Sequence, residues 1–306
     1  MTLDQLQIFL AVAQHMHFTR AAHALYITQP SVSAAIQSLE EQYKVKLFHR
    51  VGRRIELTQA GRTLLHEAQK ILAQVELTER GLQELNDLQR GELRLGASQT
   101  IGSYWLPYFI SKFKQQYPGI RIDCTLGNTQ EISTGTVTGL FDLGLVEAEV
   151  SPSYQVSLEQ QIVGSDRLQI VVGQSHSWFE QAVVPVTELT TTAWVMREQG
   201  SGTRQQFEQV LRQWGVEPAD LTVILEMKNG EMVKAVVESG VGAAALSDLI
   251  IVKELRLDLL RPIKVIGLMR DTTGAEPLSR PFLLLKHRER FQTRISQAFE
   301  QLLATS

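Results

Sequence analysis

The stretch Phe18–Glu41, FTRAAHALYITQPSVSAAIQSLEE, most constrains what this chain can become. It reads as two short helices joined by a tight turn, the first from about Thr19 to Leu25. Small residues Ala21 and Ala22 let a second helix approach closely. That helix opens at Thr28, an N-cap whose hydroxyl can accept an orphan backbone N–H. Pro30 follows in the first turn, where its missing N–H costs nothing. Val32, Ile36 and Leu39 recur at helical spacing and predict the buried face. Gln29, Ser33 and Gln37 point the other way and leave a polar, nearly uncharged outer face. Such a face suits the DNA major groove, since Gln reads adenine bidentately and Ser serves either partner of a base pair. The N-terminus of the same helix offers N–H groups to a phosphate. The other reading of the pattern is an ordinary solvated helix on a small helical domain.

The flanking segments fit the first reading. Residues 3–16 predict an amphipathic helix with Leu6, Phe9, Leu10 and Ala13 on its apolar stripe, completing a three-helix core with Phe18, Leu25 and Ile36. Residues 47–58 change period and predict two short strands around Gly52, a wing. Its Arg50, Arg53 and Arg54 can reach phosphates or the neighbouring minor groove; a solvated basic loop is the alternative. Charge is distributed accordingly. The chain carries −3 overall, but residues 1–58 hold six Lys and Arg against four Asp and Glu, leaving the remainder at −5. A modestly basic head on an acidic body is the layout expected of a DNA binder.

Residues 59–89 predict one long helix. Leu64, Ala68, Ile71, Val75, Thr78, Leu82 and Leu85 follow steps of four and three, a heptad seam broken only by Thr78. A second copy of the same helix is the simplest partner, giving a two-fold dimer. Burial against its own domain is the alternative. Arg90-Gly91 ends the helix.

The local residues go beyond these patterns. Phe18-Thr19-Arg20-Ala21-Ala22 followed by Thr28-Gln29-Pro30-Ser31-Val32-Ser33 closely resembles the helix-turn-helix of LysR-type transcriptional regulators. The resemblance continues through Leu47-Phe48-His49-Arg50 and Leu57-Thr58-Gln59-Ala60-Gly61. It implies a winged helix-turn-helix over 1–58, a linker and dimerisation helix over 59–90, and an effector-binding domain over 91–306. It also implies DNA contacts from Thr19, Arg20, Thr28, Gln29, Pro30, Ser31, Ser33, Gln37, Arg50, Arg53 and Arg54. The partners it implies are double-stranded DNA, a second copy through the linker helix, a homotetramer through the sensor domains, and RNA polymerase.

From residue 91 strands and helices alternate, which predicts α/β units built on parallel sheet. Strands are expected at 93–97, 120–126, 143–146, 168–172, 193–196, 222–226, 241–246 and 282–285. Helices are expected near 106–116, 130–139, 203–214, 230–239 and 288–303. Two crossovers divide this part into lobe I (91–162 and 267–306) and lobe II (163–266). The plan resembles the two-lobed periplasmic-binding-protein fold that LysR-type regulators use as sensor. In open α/β sheets, ligands bind at the carboxyl ends of strands.

Two loops fall at such ends. Ser98, Gln99 and Thr100 follow the first strand. Arg197, Gly200, Ser201, Gly202 and Thr203 follow a lobe II strand and open a helix. Hydroxyls, a pliant backbone and a helix N-terminus together bind carboxylate, phosphate or sulfate. Simple N-capping by Ser98 and Ser201 explains the same residues without a ligand. Asn128, Thr129, Glu147 and Asn229 extend the walls. The stretch Trp194–Arg204 resembles family members that govern sulfur and carbon assimilation, which implies a small anionic effector and no cofactor.

No catalytic set is present. Gly240–Ala245 imitates a dinucleotide motif, but it follows a helix, whereas the phosphate turn requires a preceding strand. His66-Glu67 lacks the second histidine of a zinc protease motif. The single cysteine, Cys124, excludes an intrachain disulfide and zinc sites made from cysteine pairs. No signal peptide and no membrane-length apolar run are evident, so the cytoplasm is the expected compartment. The reading is therefore an effector-responsive DNA-binding regulator and not an enzyme. Its alternative is a cytoplasmic solute-binding protein whose helical head serves in assembly.

Overall fold

The computed structural model describes residues 1–51, 54–84, 90–181, 183–266 and 278–304. The chain separates into two compact units, Met1–Leu82 and Gln83–Ser306.

The first unit contains α1 (Leu3–His15), α2 (Phe18–Ala24), α3 (Gln29–Tyr43), the hairpin β1 (Phe48–Val51) and β2 (Arg54–Leu57), and α4 (Gln59–Glu84). Thr2 and Gln5 close a capping box on α1. His17 caps α2, its ring nitrogen accepting from Thr19 N at 3.2 Å and Arg20 N at 3.4 Å. The helix therefore starts one residue earlier than the sequence suggests. Thr28 caps α3 as expected, accepting from Ser31 N at 3.3 Å. Ala21, Ala22, Val32, Ile36 and Leu39 are buried with Leu6, Phe9 and Val12 in one core. Phe48 brings the wing onto this core by ring contacts with Phe9 and Phe18 at 5.4 and 5.9 Å. A β-carbon on Gly61 would stand 2.2 Å from the Leu47 carbonyl, so α4 can leave the wing here only as glycine.

The heptad stripe of α4 divides. Ala68 is fully buried and Leu64 packs against the head core, as does Leu72 from outside the stripe. Farther along, Ile71 is 37% and Leu82 61% exposed. Leu85 lies outside the described residues.

The second unit runs through β3 (Gly91–Ser98), a π-helical turn (Ile101–Trp105), α5 (Leu106–Gln116), β4 (Ile120–Gly127), α6 (Thr129–Thr138), β5 (Leu143–Glu147), α7 (Pro152–Gln155) and β6 (Leu158–Gly173). It continues through β7 (Val183–Pro185), β8 (Ala193–Arg197), α8 (Gly202–Gln213), β9 (Thr222–Met227), α9 (Gly230–Glu238), β10 (Ala244–Ser247) and α10 (Asp248–Arg256). β11 (Leu260–Ile266), β12 (Ser279–His287) and α11 (Arg294–Ala304) complete it. The main sheet has the order β4-β3-β5-β12-β6-β11-β7, with β10 also on β6; β8 and β9 form a separate parallel pair.

Two lobes result, each with helices on both faces of its strands. In lobe I, α5 and α11 bury Phe109, Phe113, Ile295 and Phe299 on one side, and α6 buries Ile132 on the other. In lobe II, Trp194 and Phe207 lie on one side and Val233, Val237, Ile250 and Ile251 on the other. β3, β4 and β5 are parallel, as expected. The sheet as a whole is mixed, because β12 runs antiparallel to both β5 and β6. β6 begins ten residues before the expected lobe II strand and runs on from lobe I. Its first half, with Glu159, Gln160, Gln161, Ser165 and Asp166, has no apolar run to announce it. α10 was not anticipated either, and the last helix starts at Arg294, leaving Phe291 53% exposed.

Candidate functional site

The head presents α3 as a prepared surface. Gln29, Pro30, Ser31 and Gln37 are exposed and Ser33 is half-buried, with Thr19 and Arg20 exposed beside them. The Gln29 amide donates to Ser33 Oγ at 2.8 Å, and Gln37 donates to Glu41 Oε1 at 2.7 Å. Thr28 and Ser31 share a hydroxyl pair at 2.8 Å. These bonds tie the polar side chains of this face to one another along the helix. Arg50 and Arg54 belong to the paired wing strands; Arg53 lies outside the described residues. Glu40 clips the wing to α3, accepting from Lys46 Nζ at 2.6 Å and Leu47 N at 2.8 Å.

In the second unit, strand ends and helix starts of the two lobes meet. Gly202 makes this possible: a β-carbon there would stand 2.2 Å from the Glu147 carbonyl. Gln130 N donates to Gly200 O at 3.3 Å, and Gly200 adopts φ +84°. On another side, the Tyr104 hydroxyl bonds to the Glu231 carboxylate. Among the described residues the lobes thus touch at several places around the cleft.

Its floor is a buried polar cluster. Arg280, 1% exposed, donates to both carboxylate oxygens of Asp166 at 2.6 and 2.8 Å. It also donates to Thr203 Oγ1 at 3.0 Å and lies 3.7 Å from Glu147 Oε1. Ser98 donates to Glu147 Oε2, and Thr129 donates to the Glu147 carbonyl at 3.1 Å. Burial pushes the Glu147 carboxyl well above the usual carboxylate range, against the pull of Arg280. Burial also works against the charge on Arg280, but Asp166 and Glu147 outweigh it and hold the guanidinium charged.

The capping account of the loop hydroxyls does not hold. Ser98 is spent on Glu147. Thr100 Oγ1 and Ser201 Oγ are buried and have no partner, and neither caps its helix. Other expected groups are spent within the fold. Arg197 makes a two-bond pair with Glu198 at 2.8 and 3.0 Å. Asn128 closes a capping box with Glu131, and Asn229 caps α9 by accepting from Glu231 N and Met232 N. Gln99 is half-buried.

Comparison with known proteins decides the family. Residues 86–306 match the LysR substrate binding domain, and residues 3–62 match the bacterial regulatory helix-turn-helix protein, lysR family. The chain belongs to the LysR family. It is a LysR-type DNA-binding transcriptional regulator with an effector-binding domain. A probable RuBisCO transcriptional regulator of Trichormus variabilis is 33% identical over 98% of this chain and 87% of its own. That name agrees with the carbon-assimilation resemblance of Trp194–Arg204. The LysR family regulator CbnR shares the fold at a TM-score of 0.70, with 19% identity over 100% of this chain and 99% of that one. The regulatory domain of Synechocystis CcmR, solved in complex with 2-PG, has a TM-score of 0.60 at 24% identity, over 70% of this chain and 96% of its own.

Two central residues of this LysR-type regulator escaped sequence reasoning. Asp166 and Arg280 face each other across β6 and β12 but stand 114 residues apart in the chain. The available signal was a charged residue at the edge of an apolar strand, Arg280 before Pro281-Phe282-Leu283. Among the described residues no cluster of His, Cys, Asp and Glu could hold a metal ion, and no helix is long and apolar enough to cross a membrane.

Proposed function

We propose that Gln29, Ser33 and Gln37 read base edges in the major groove, with Thr19, Arg20, Thr28, Pro30, Ser31 and the wing arginines Arg50, Arg53 and Arg54 positioned on the backbone. A small anionic metabolite enters the inter-lobe cleft and binds over Ser98, Thr100, Glu147 and Thr203. The observation that carries the ligand assignment is the Thr100 hydroxyl, fully buried and without a partner. An unbonded buried hydroxyl costs about 1–3 kcal/mol, which a ligand recovers. Arg197 and Arg280 are already paired with Glu198 and Asp166, so the anion is held by hydroxyls and helix-start N–H groups and not by a spare cation. The CcmR domain, solved with 2-PG, is a precedent for a small ligand in this fold.

The exposed part of the α4 stripe pairs two chains, sensor-domain contacts join dimers into a tetramer, and two heads then read a two-fold related DNA site. Ligand shifts the arrangement of heads, and with it the presentation of the promoter to RNA polymerase, by binding one arrangement more tightly than the other. The protein acts by binding and not by catalysis, in the cytoplasm.

A footprint on DNA upstream of its own gene tests the head, and Thr100→Ala tests the cleft. Thr100→Ala is expected to keep the footprint and lose the response to metabolite. Undiminished metabolite affinity in that variant would remove Thr100 from the site. Gln29→Ala is expected to relax preference at one base by about 1–3 kcal/mol, while Arg53→Ala weakens binding to all sequences alike.

A further inference from the structure

A second cavity, of about 430 Å³, opens between the lobes where α6 faces α8. Gln130, Glu149 and Tyr154 line it from lobe I, and Ser201, Glu208 and Arg212 from lobe II. Ser98, Thr100, Glu147 and Arg280 do not line it, whereas Thr129, Gly200 and Ser201 do, so it adjoins the cleft floor without including its charged core.

Its charges are arranged unequally. Arg204, largely buried, pairs with Glu208 at 2.7 Å and with Glu226 at 2.5 Å. Glu149 is exposed and makes no ion pair among the described residues. On the opposite wall Arg212 reaches Glu208 only at 3.6 Å, and its side chain is 54% exposed. The cavity therefore offers a carboxylate with no ion pair among the described residues on one lobe and, on the other, a guanidinium whose pairing with Glu208 leaves it half exposed. The third observation is the Ser201 hydroxyl, 2% exposed, in the cavity wall and without a hydrogen-bond partner. A buried hydroxyl left unbonded beside open space is a vacant contact.

We propose that this cavity is a second ligand site, for a zwitterionic amino acid. Its carboxylate lies on Arg212, its ammonium on Glu149, and a polar atom bonds to Ser201. Because the two charges belong to different lobes, the bound amino acid fastens one lobe to the other. The proposal goes beyond the metabolite site of the cleft floor and does not depend on it.

Calorimetric titration of the full chain with the standard amino acids, one at a time at millimolar concentration, tests this. L-lactate and ethylamine, which keep only the carboxylate or only the ammonium, serve as controls. At least one amino acid is expected to bind saturably, and both controls are expected to fail. Glu149→Gln and Arg212→Gln should each weaken binding about tenfold, the loss of one charge-assisted bond, with unchanged melting temperature. Thr100→Ala should leave amino-acid binding intact. The proposal is overturned if no amino acid binds, if lactate or ethylamine binds equally well, or if both charge variants bind as the parent does. Loss in Thr100→Ala alone would place the amino acid on the cleft floor and equally overturn it.

Discussion

Glu147 is held above the ordinary carboxylate range chiefly by burial, opposed by Arg280. In the unfolded chain the same group ionises in the usual range. Between the two values the native state keeps a proton that the unfolded state has released. The stabilising contribution is complete below that window and is lost as pH rises through the folded value. Glu147→Gln, uncharged at every pH, should melt with the parent at about pH 4 and above it near neutrality. Parallel melting curves across that range would sink the assignment. Arg280 gives a second expectation at this scale. Arg280→Met leaves Asp166 buried without its partner and should cost about 3–5 kcal/mol, read as an earlier urea transition of the sensor unit. The ends of strands were legible in the sequence, which is why Ser98, Thr100 and Glu147 could be named from it. The cluster they join was not, because Asp166 and Arg280 meet only through a strand pairing that no local pattern encodes.

At the scale of elements, period was a good guide where one face of an element is buried and the other wet. That condition holds for α1, α3, α5, α8 and α9. It fails for the first half of β6, whose polar residues alternate irregularly between partial and full exposure. The α4 stripe shows a different limit. Its repeat was plain, but a heptad pattern records that a partner exists and not which one. Leu64 and Ala68 serve the head core. The exposed remainder makes its own prediction. Leu82→Lys should shift the oligomer toward smaller species by sedimentation, since burying one leucine contributes about 1.5–3 kcal/mol per chain. An unchanged mass distribution would mean that α4 pairs through another face.

At the scale of the whole molecule, the division into a helical head and a two-lobed α/β sensor followed from where the hydrophobic period changes. The closed contacts between lobes did not follow, because Gly202, Gln130 and Tyr104 act through tertiary approach and carry no periodic signature. Tyr104 and Glu231 bond across the lobes near the surface. Tyr104→Phe removes that bond to a charged group, worth about 1.5–3 kcal/mol, and should speed metabolite entry at least tenfold in stopped-flow measurements. An unchanged association rate would show that entry takes another route.

The lobes are joined by strands that do not stop between them. β6 passes through both as one strand of 16 residues, and β12 lies along it. Such a connection behaves as a leaf spring and not as a door hinge, since every degree of lobe rotation must be taken up by twisting a hydrogen-bonded ladder. The ladder has one soft joint, the register shift between Phe282 and Leu283, where Val163 is left without a partner. Rotation concentrated at that joint has a fixed axis and a restoring torque. A sensor sprung in this way returns to its resting shape when its ligand leaves, so its output follows the present concentration and keeps no record of the past.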